Sequence, residues 1–285
     1  MFLNSKIQLS LVLFIVSFSQ IFAQTTLQYN VKPKDKFAYT VSSDINQSFS
    51  QMGQETNVTM KMTSDLDIQI TNVTKNITMQ MKYVQPMISM SGMEAMGVAD
   101  TTIDASSQLD FKMEYEFTKN GAILSYKIID EKTVEMDQQA KMMKQQVTSQ
   151  LKQSTDFLIY QYPTKSLKIG DTWNTNDTVD VNGIKTVRNF VHTLQSIKKE
   201  NGNDVAEIIT KSTNISVNGS TNQMGMEMEV RGGVTINAYS KVDVKSGLVL
   251  NMEMTNNSDI TMSMSSPMEM TIPITLKMIT KLAKK

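Results

Sequence analysis

The sequence has no cysteine, one histidine, one tryptophan and only five prolines among 285 residues. Without Cys there is no disulfide framework and no thiolate chemistry. A Ser-His-Asp mechanism would have to use His192, the single candidate base. That residue falls in phase with Phe190 and Leu194 in an alternating stretch, where a lone imidazole belongs to a packed core. No G-x-S-x-G, G-x-x-x-x-G-K-[ST], H-E-x-x-H or EF-hand spacing occurs. The chain is therefore expected to be no enzyme and to need no cofactor. Charge of one sign is also lacking: Lys and Arg number 28, as do Asp and Glu. Phosphate binding needs clustered cations, so a nucleic-acid partner is not expected. The one basic bias, Lys281, Lys284 and Lys285, reads as a solvated terminus.

Long apolar runs are missing except at the N-terminus. Lys6, the mostly apolar stretch Ile7 to Phe22 and the small residues Ser19 and Ala23 have the order of an export signal. Cleavage near Ala23 is expected, giving a signal peptide over 1–23 and a mature chain that is periplasmic, extracellular or at the cell surface, with no transmembrane segment. Polar residues at Gln8, Ser10, Ser17, Ser19 and Gln20 interrupt the run and argue against a retained anchor.

What the chain does have is methionine, 24 residues of it. Met60 and Met62, Met79 and Met81, Met226 and Met228, Met252 and Met254, and Met262 and Met264 stand two apart, separated mostly by polar residues. Side chains alternate across a strand, so each pair projects from one face. Val58, Met60, Met62, Leu66, Ile68 and Ile70 share one side of their segment; Leu109, Phe111, Met113, Tyr115 and Phe117 do the same in theirs. Strands wet on one face belong to antiparallel sheets. These ten methionines are the candidate ligand-facing residues. A second grouping, Met87, Met90, Met93 and Met96, has a three-residue spacing that could wrap a soft ion such as Cu(I) or Ag(I).

The alternating runs come in two sets. Val31-Lys32-Pro33-Lys34-Asp35-Lys36-Phe37 matches Leu167-Lys168-Ile169-Gly170-Asp171-Thr172-Trp173 position by position. In both, Asp at a turn is expected to cap backbone amides and the aromatic to anchor the next strand. Turns are expected at Met52-Gly53, Asn72 to Asn76, Asn120-Gly121, Asn182-Gly183, Asn201 to Asn203, Gly232-Gly233 and Ser246-Gly247. Between the sets, Met136, Ala140, Met143, Val147 and Leu151 fall at helical intervals. The expected fold is mainly β: a large curved antiparallel sheet, half-barrel or closed barrel of two pseudo-repeated meanders. One amphipathic helix would pack on its concave face. The single domain over 24–285 would divide into a first half (24–130), helix and linker (131–164) and second half (165–285).

The export signal, the paired openings, the long alternating strands and the helical stretch ending in Tyr160-Gln161-Tyr162-Pro163 together resemble a family of exported bacterial proteins classed as a domain of unknown function. The first copy departs from the pattern, with Pro33-Lys34 where the second has Ile169-Gly170. In architecture alone, the chain is similar to periplasmic lipoprotein carriers and lipid-binding half-barrels, and such likeness does not transfer function. An outer-membrane barrel fits less well, because only 7% of residues are aromatic and the chain ends Ala283-Lys284-Lys285. The leading expectation is a non-catalytic protein whose apolar Met-rich face holds an amphiphile or a hydrophobic protein segment. A Met-based metal binder and a structural envelope component are the alternatives.

Overall fold

The computed structural model describes residues 24–285 apart from 52, 53, 93, 95–98, 108, 131–154, 156, 182, 183, 214, 224, 225 and 265–269. The first half supplies β1 (Lys36–Gln51), β2 (Gln54–Val73), β3 (Asn76–Ser91), β4 (Thr101–Asp104), β5 (Phe111–Thr118) and β6 (Ile123–Asp130). The second supplies β7 (Thr172–Val181), β8 (Ile184–Glu200), β9 (Asn203–Ser212), β10 (Ile215–Gln223), β11 (Met226–Asp243), β12 (Val249–Met264) and β13 (Met270–Lys284). All ladders are antiparallel, in one sheet ordered β6-β5-β3-β2-β1-β13-β12-β11-β9-β8-β7, with β4 on β3 and β10 on β11. Each half is a meander, and the halves meet where β1 pairs β13 over Tyr39–Phe49 and Ile274–Lys284.

The expected curl into a half-barrel or barrel is corrected. The sheet is open and uncurled, with β6 and β7 as its two edges. The central ladders, β1 on β2 and β12 on β13, run without a register shift; the irregularities of the ladders beside them fall at Thr63/Asp65, Ile70/Asn72 and Lys241/Val242. The segment carrying the expected helical stripe, 131–154, lies outside the described residues.

One turn is corrected too. β11 runs straight through Gly232-Gly233, and a Cβ on Gly232 would come within 2.2 Å of the Asp259 carbonyl oxygen. Glycine here permits close approach of β12 instead of reversing the chain. β9 and β10 both pair antiparallel with β11, at 237–243 and 226–234, so they follow one line along it with a break between Ser212 and Ile215.

The paired openings are repeated in atomic detail. Lys32 N donates to Asp35 Oδ2 (2.7 Å), and Lys168 N to Asp171 Oδ2 (2.9 Å). Lys34 N donates to Ile70 O and Gly170 N to Leu194 O, both at 2.8 Å, while Ile70 N and Leu194 N return bonds to Asp35 O and Asp171 O. Each turn thus staples the start of one strand, β1 or β7, to the strand that follows it, β2 or β8. Its third position is left-handed, φ 75° at Lys34 and 90° at Gly170. A side chain in that conformation costs about 1 kcal/mol or more. Lys34→Gly should therefore raise stability and Gly170→Ala lower it, each by roughly 1 kcal/mol, read from the shift in the urea midpoint. No atom lies within 4 Å of a Cβ added at Gly170, so backbone conformation alone decides the second case.

The core lies where the inner face of the sheet meets the segments 24–31 and 157–167. Leu27, Tyr29, Val31, Tyr160, Tyr162 and Leu167 pack there against Leu66, Met81, Phe117 and Leu194. Their polar ends are satisfied: Tyr39 Oη donates to Val249 O (2.7 Å), Tyr162 Oη to Gly247 O (2.9 Å) and Tyr29 Oη to Leu158 O (3.2 Å). Burial raises the pKa of all four of these tyrosines, Tyr29, Tyr39, Tyr160 and Tyr162, so they stay neutral donors.

Candidate functional site

The methionines separate by depth. Met62, Met79, Met81, Met252 and Met254 are buried; Met60, Met228, Met262 and Met264 are half-buried on the same face further along the strands; Met226 is in β11. Register aligns the half-buried group in lateral rows: Met228 opposite Met264, and Met264 opposite Met270. Farther in, Ile236, Asn256, Met278, Ile45, Met60 and Met90 form one row across six strands. Beyond the core, therefore, the inner face continues as a band of mostly half-buried and mostly apolar side chains, interrupted by Asn256.

Met87 and Met90 both lie in β3, not in a loop, on opposite faces. A register shift between Thr63 and Asp65, with Gln85 at φ 50°, switches the phase of β3. Met79, Met81 and Tyr83 face inward before it, Ile88 and Met90 after it, and Met87 is 38% exposed. Met93 and Met96 lie outside the described residues.

A cavity of about 280 Å³ opens at the edge of the sheet. One wall is the β5–β6 turn, Gly121 to Ile123; a second is the segment carrying Phe157, Ile159 and Gln161; the third is β7 and β8. The segment ties the two edges: Tyr162 N donates to Asn120 O (2.7 Å), and Trp173 Nε1 donates to Gln161 O (2.9 Å). Gly121, at φ 86°, lets it come this close, since a Cβ there would fall 1.8 Å from Tyr160 O.

Arg188, Phe190 and His192 alternate on the inner face of β8 and line the cavity. His192 Nδ1 bonds Thr210 Oγ1 and Nε2 bonds Thr175 Oγ1, both at 2.8 Å, and the ring stacks on Trp173 with centroids 5.0 Å apart. Both hydroxyls can accept as well as donate, so they do not oppose protonation. Burial does, lowering the imidazole pKa to about 4. Arg188 donates through Nε to Asp177 Oδ1 (2.7 Å) and through Nη2 to Asp177 Oδ2. Its guanidinium carbon lies 5.7 Å from the ring centres of both Phe157 and Phe190. The side chain of Arg188 is 6% exposed, that of Asp177 43%.

None of the nine candidate methionines whose side chains are described lines this cavity. Sequence reasoning placed His192 in the core, where it is, but passed over Arg188 and Asp177. The available signal was phase: Arg188 stands two residues before Phe190 and four before His192, on the buried side of an alternating strand.

A family of unknown function, DUF6263, matches residues 63–249, more than half of the chain. The chain belongs to that family. The DUF6263 match takes in the Asp171 turn, the cavity and β2 to β11 except the first residues of β2. No curated protein matches the sequence. Among solved structures, one of lipid–protein interactions in lipovitellin matches with a TM-score of 0.50 and 9% identity, over 90% of this chain and 25% of that one. At that identity the likeness concerns fold alone, and the DUF6263 chain spans about a quarter of the lipovitellin chain. A structure of Salmonella typhi OmpF with daunomycin gives a TM-score of 0.21 at 6% identity, over 90% of this chain and all (100%) of that one, too low to carry an argument.

Proposed function

We propose that this member of the DUF6263 family is an exported, non-catalytic binder of an amphiphile, held along the half-buried apolar band of the sheet. The observation that carries the reading is the continuation of the inner face beyond the core, where Met60, Met90, Met262, Met264, Met270 and Met278 are half-buried instead of sealed. Flexible thioether chains adapt to ligands of irregular shape, which suits such a band to acyl chains. The likeness in fold to lipovitellin, a protein studied for its lipid interactions, is in keeping with the reading.

Organic extraction of the purified mature protein, followed by mass measurement, tests it together with titration of 1-dodecanol into the stripped protein. A co-purifying apolar molecule or saturable dodecanol binding is expected. An empty extract with no dodecanol binding would sink the proposal; stoichiometric Cu(I) uptake in that case would favour the methionines as metal ligands.

A further inference from the structure

The cavity at Arg188 has features that the apolar band lacks: a dry, fixed cation and a removable partner. Two phenyl faces hold the guanidinium, and Nε and Nη2 together engage a planar carboxylate. That is the fork geometry by which Arg recognises carboxylates in general. The present carboxylate belongs to Asp177, on edge strand β7, with 43% of its side chain open to water. Asp177 can turn outward into solvent, whereas Arg188 cannot follow it. A carboxylate arriving from outside would then take over the same two hydrogen bonds. The cost of keeping a cation dry is met by the fold before any ligand arrives.

The remaining lining fixes the rest of the ligand's chemistry. His192 has both ring nitrogens committed to threonine hydroxyls and offers no competing charge. Phe157 and Phe190 line the cavity and also belong to the apolar cluster containing Ile236, Met254 and Met278. Ile236 and Met278 stand in the lateral row that includes Met60 and Met90. An apolar path thus leads from the guanidinium to the methionine band. At about 280 Å³ the cavity is at the small end for a ligand pocket, with room for a head group and a few methylenes.

We propose that the amphiphile is a carboxylate, with its head exchanged onto Arg188 in place of Asp177 and its chain running over Phe157 and Phe190 toward Met278. This assignment rests on the amphiphile reading above and narrows it to acidic, single-headed ligands. A cationic head would meet Arg188 as soon as Asp177 moved, and a neutral head would leave Asp177 where it is.

The test is calorimetric titration of the mature protein with dodecanoate, 1-dodecanol and dodecylamine below their micelle concentrations. The fluorescence of Trp173, the single tryptophan, serves as a local reporter because its ring stacks on cavity-lining His192. Dodecanoate should bind at least tenfold more tightly than dodecanol, and dodecylamine most weakly. Asp177→Asn should tighten dodecanoate severalfold, since an amide is easier to displace. Arg188→Gln, checked for a cooperative thermal transition, should bind dodecanoate and dodecanol equally. Equal binding of the two by the wild-type protein, or weaker dodecanoate binding by Asp177→Asn, would overturn the head-group assignment and leave the amphiphile reading standing. Failure of all three ligands to bind would overturn both.

Discussion

Lowering the pH from 7.5 to 4.5 should cost the folded protein roughly 2–3 kcal/mol through His192 alone. The imidazole titrates near 6.5 when exposed and is lowered to about 4 in the fold. A depressed basic group stabilises the native state where the exposed group is neutral, so the contribution is intact above about pH 6.5. It drains away as pH falls toward 4, because the unfolded chain takes the proton first, and no more is lost below that. Urea titrations of the wild type and His192→Gln at both pH values isolate the effect, since the carboxylates common to the two proteins cancel. The wild type should lose more stability than the variant by that margin. Parallel losses would mean that water reaches the ring and that the site is wetter than its packing against Trp173 and Tyr160 implies.

The methionines carry the second large effect. Met81 is fully buried opposite Ile68 and Met113, and Met81→Ala should cost about 2–5 kcal/mol through lost contacts and the void left behind. Met60 and Met262 have the same sequence context but stand in the half-buried band. Met60→Ala and Met262→Ala should cost about 1 kcal/mol or less and should weaken dodecanol binding, whereas Met81→Ala protein that still folds should bind normally. Guanidinium midpoints and calorimetric affinities for the three variants decide it. Equal destabilisation by all three would make the band ordinary core.

How far the chain could be read in advance follows the range of the interactions involved. Which face Leu66, Phe117 or Met254 takes is a matter of period two along one strand, and that was legible. The Asp35 and Asp171 turns were legible as well, since a cap and its amides lie within four residues. Three things depend on partners distant in sequence. Gly232-Gly233 has the composition of a turn, but β12 comes close to it and keeps the strand straight. The phase change at Gln85 is set by how β3 registers on β2. Arg188 looks like a surface residue until Asp177, Phe157 and Phe190 come together around it; His192 was easier to place because a lone imidazole flanked by apolar residues already reads as interior. The helical stripe from Met136 to Leu151 lies outside the described residues.

The seam between β1 and β13 has a consequence for biogenesis. Residues 39–49 find their partners at 274–284, so the ladder at the middle of the sheet is laid only after β13 has been made. Until then β1 is a bare, sticky border of a half-built sheet, able to recruit a strand from a neighbouring chain. Crowding before β13 docks should therefore divert newly made copies into aggregates joined through β1.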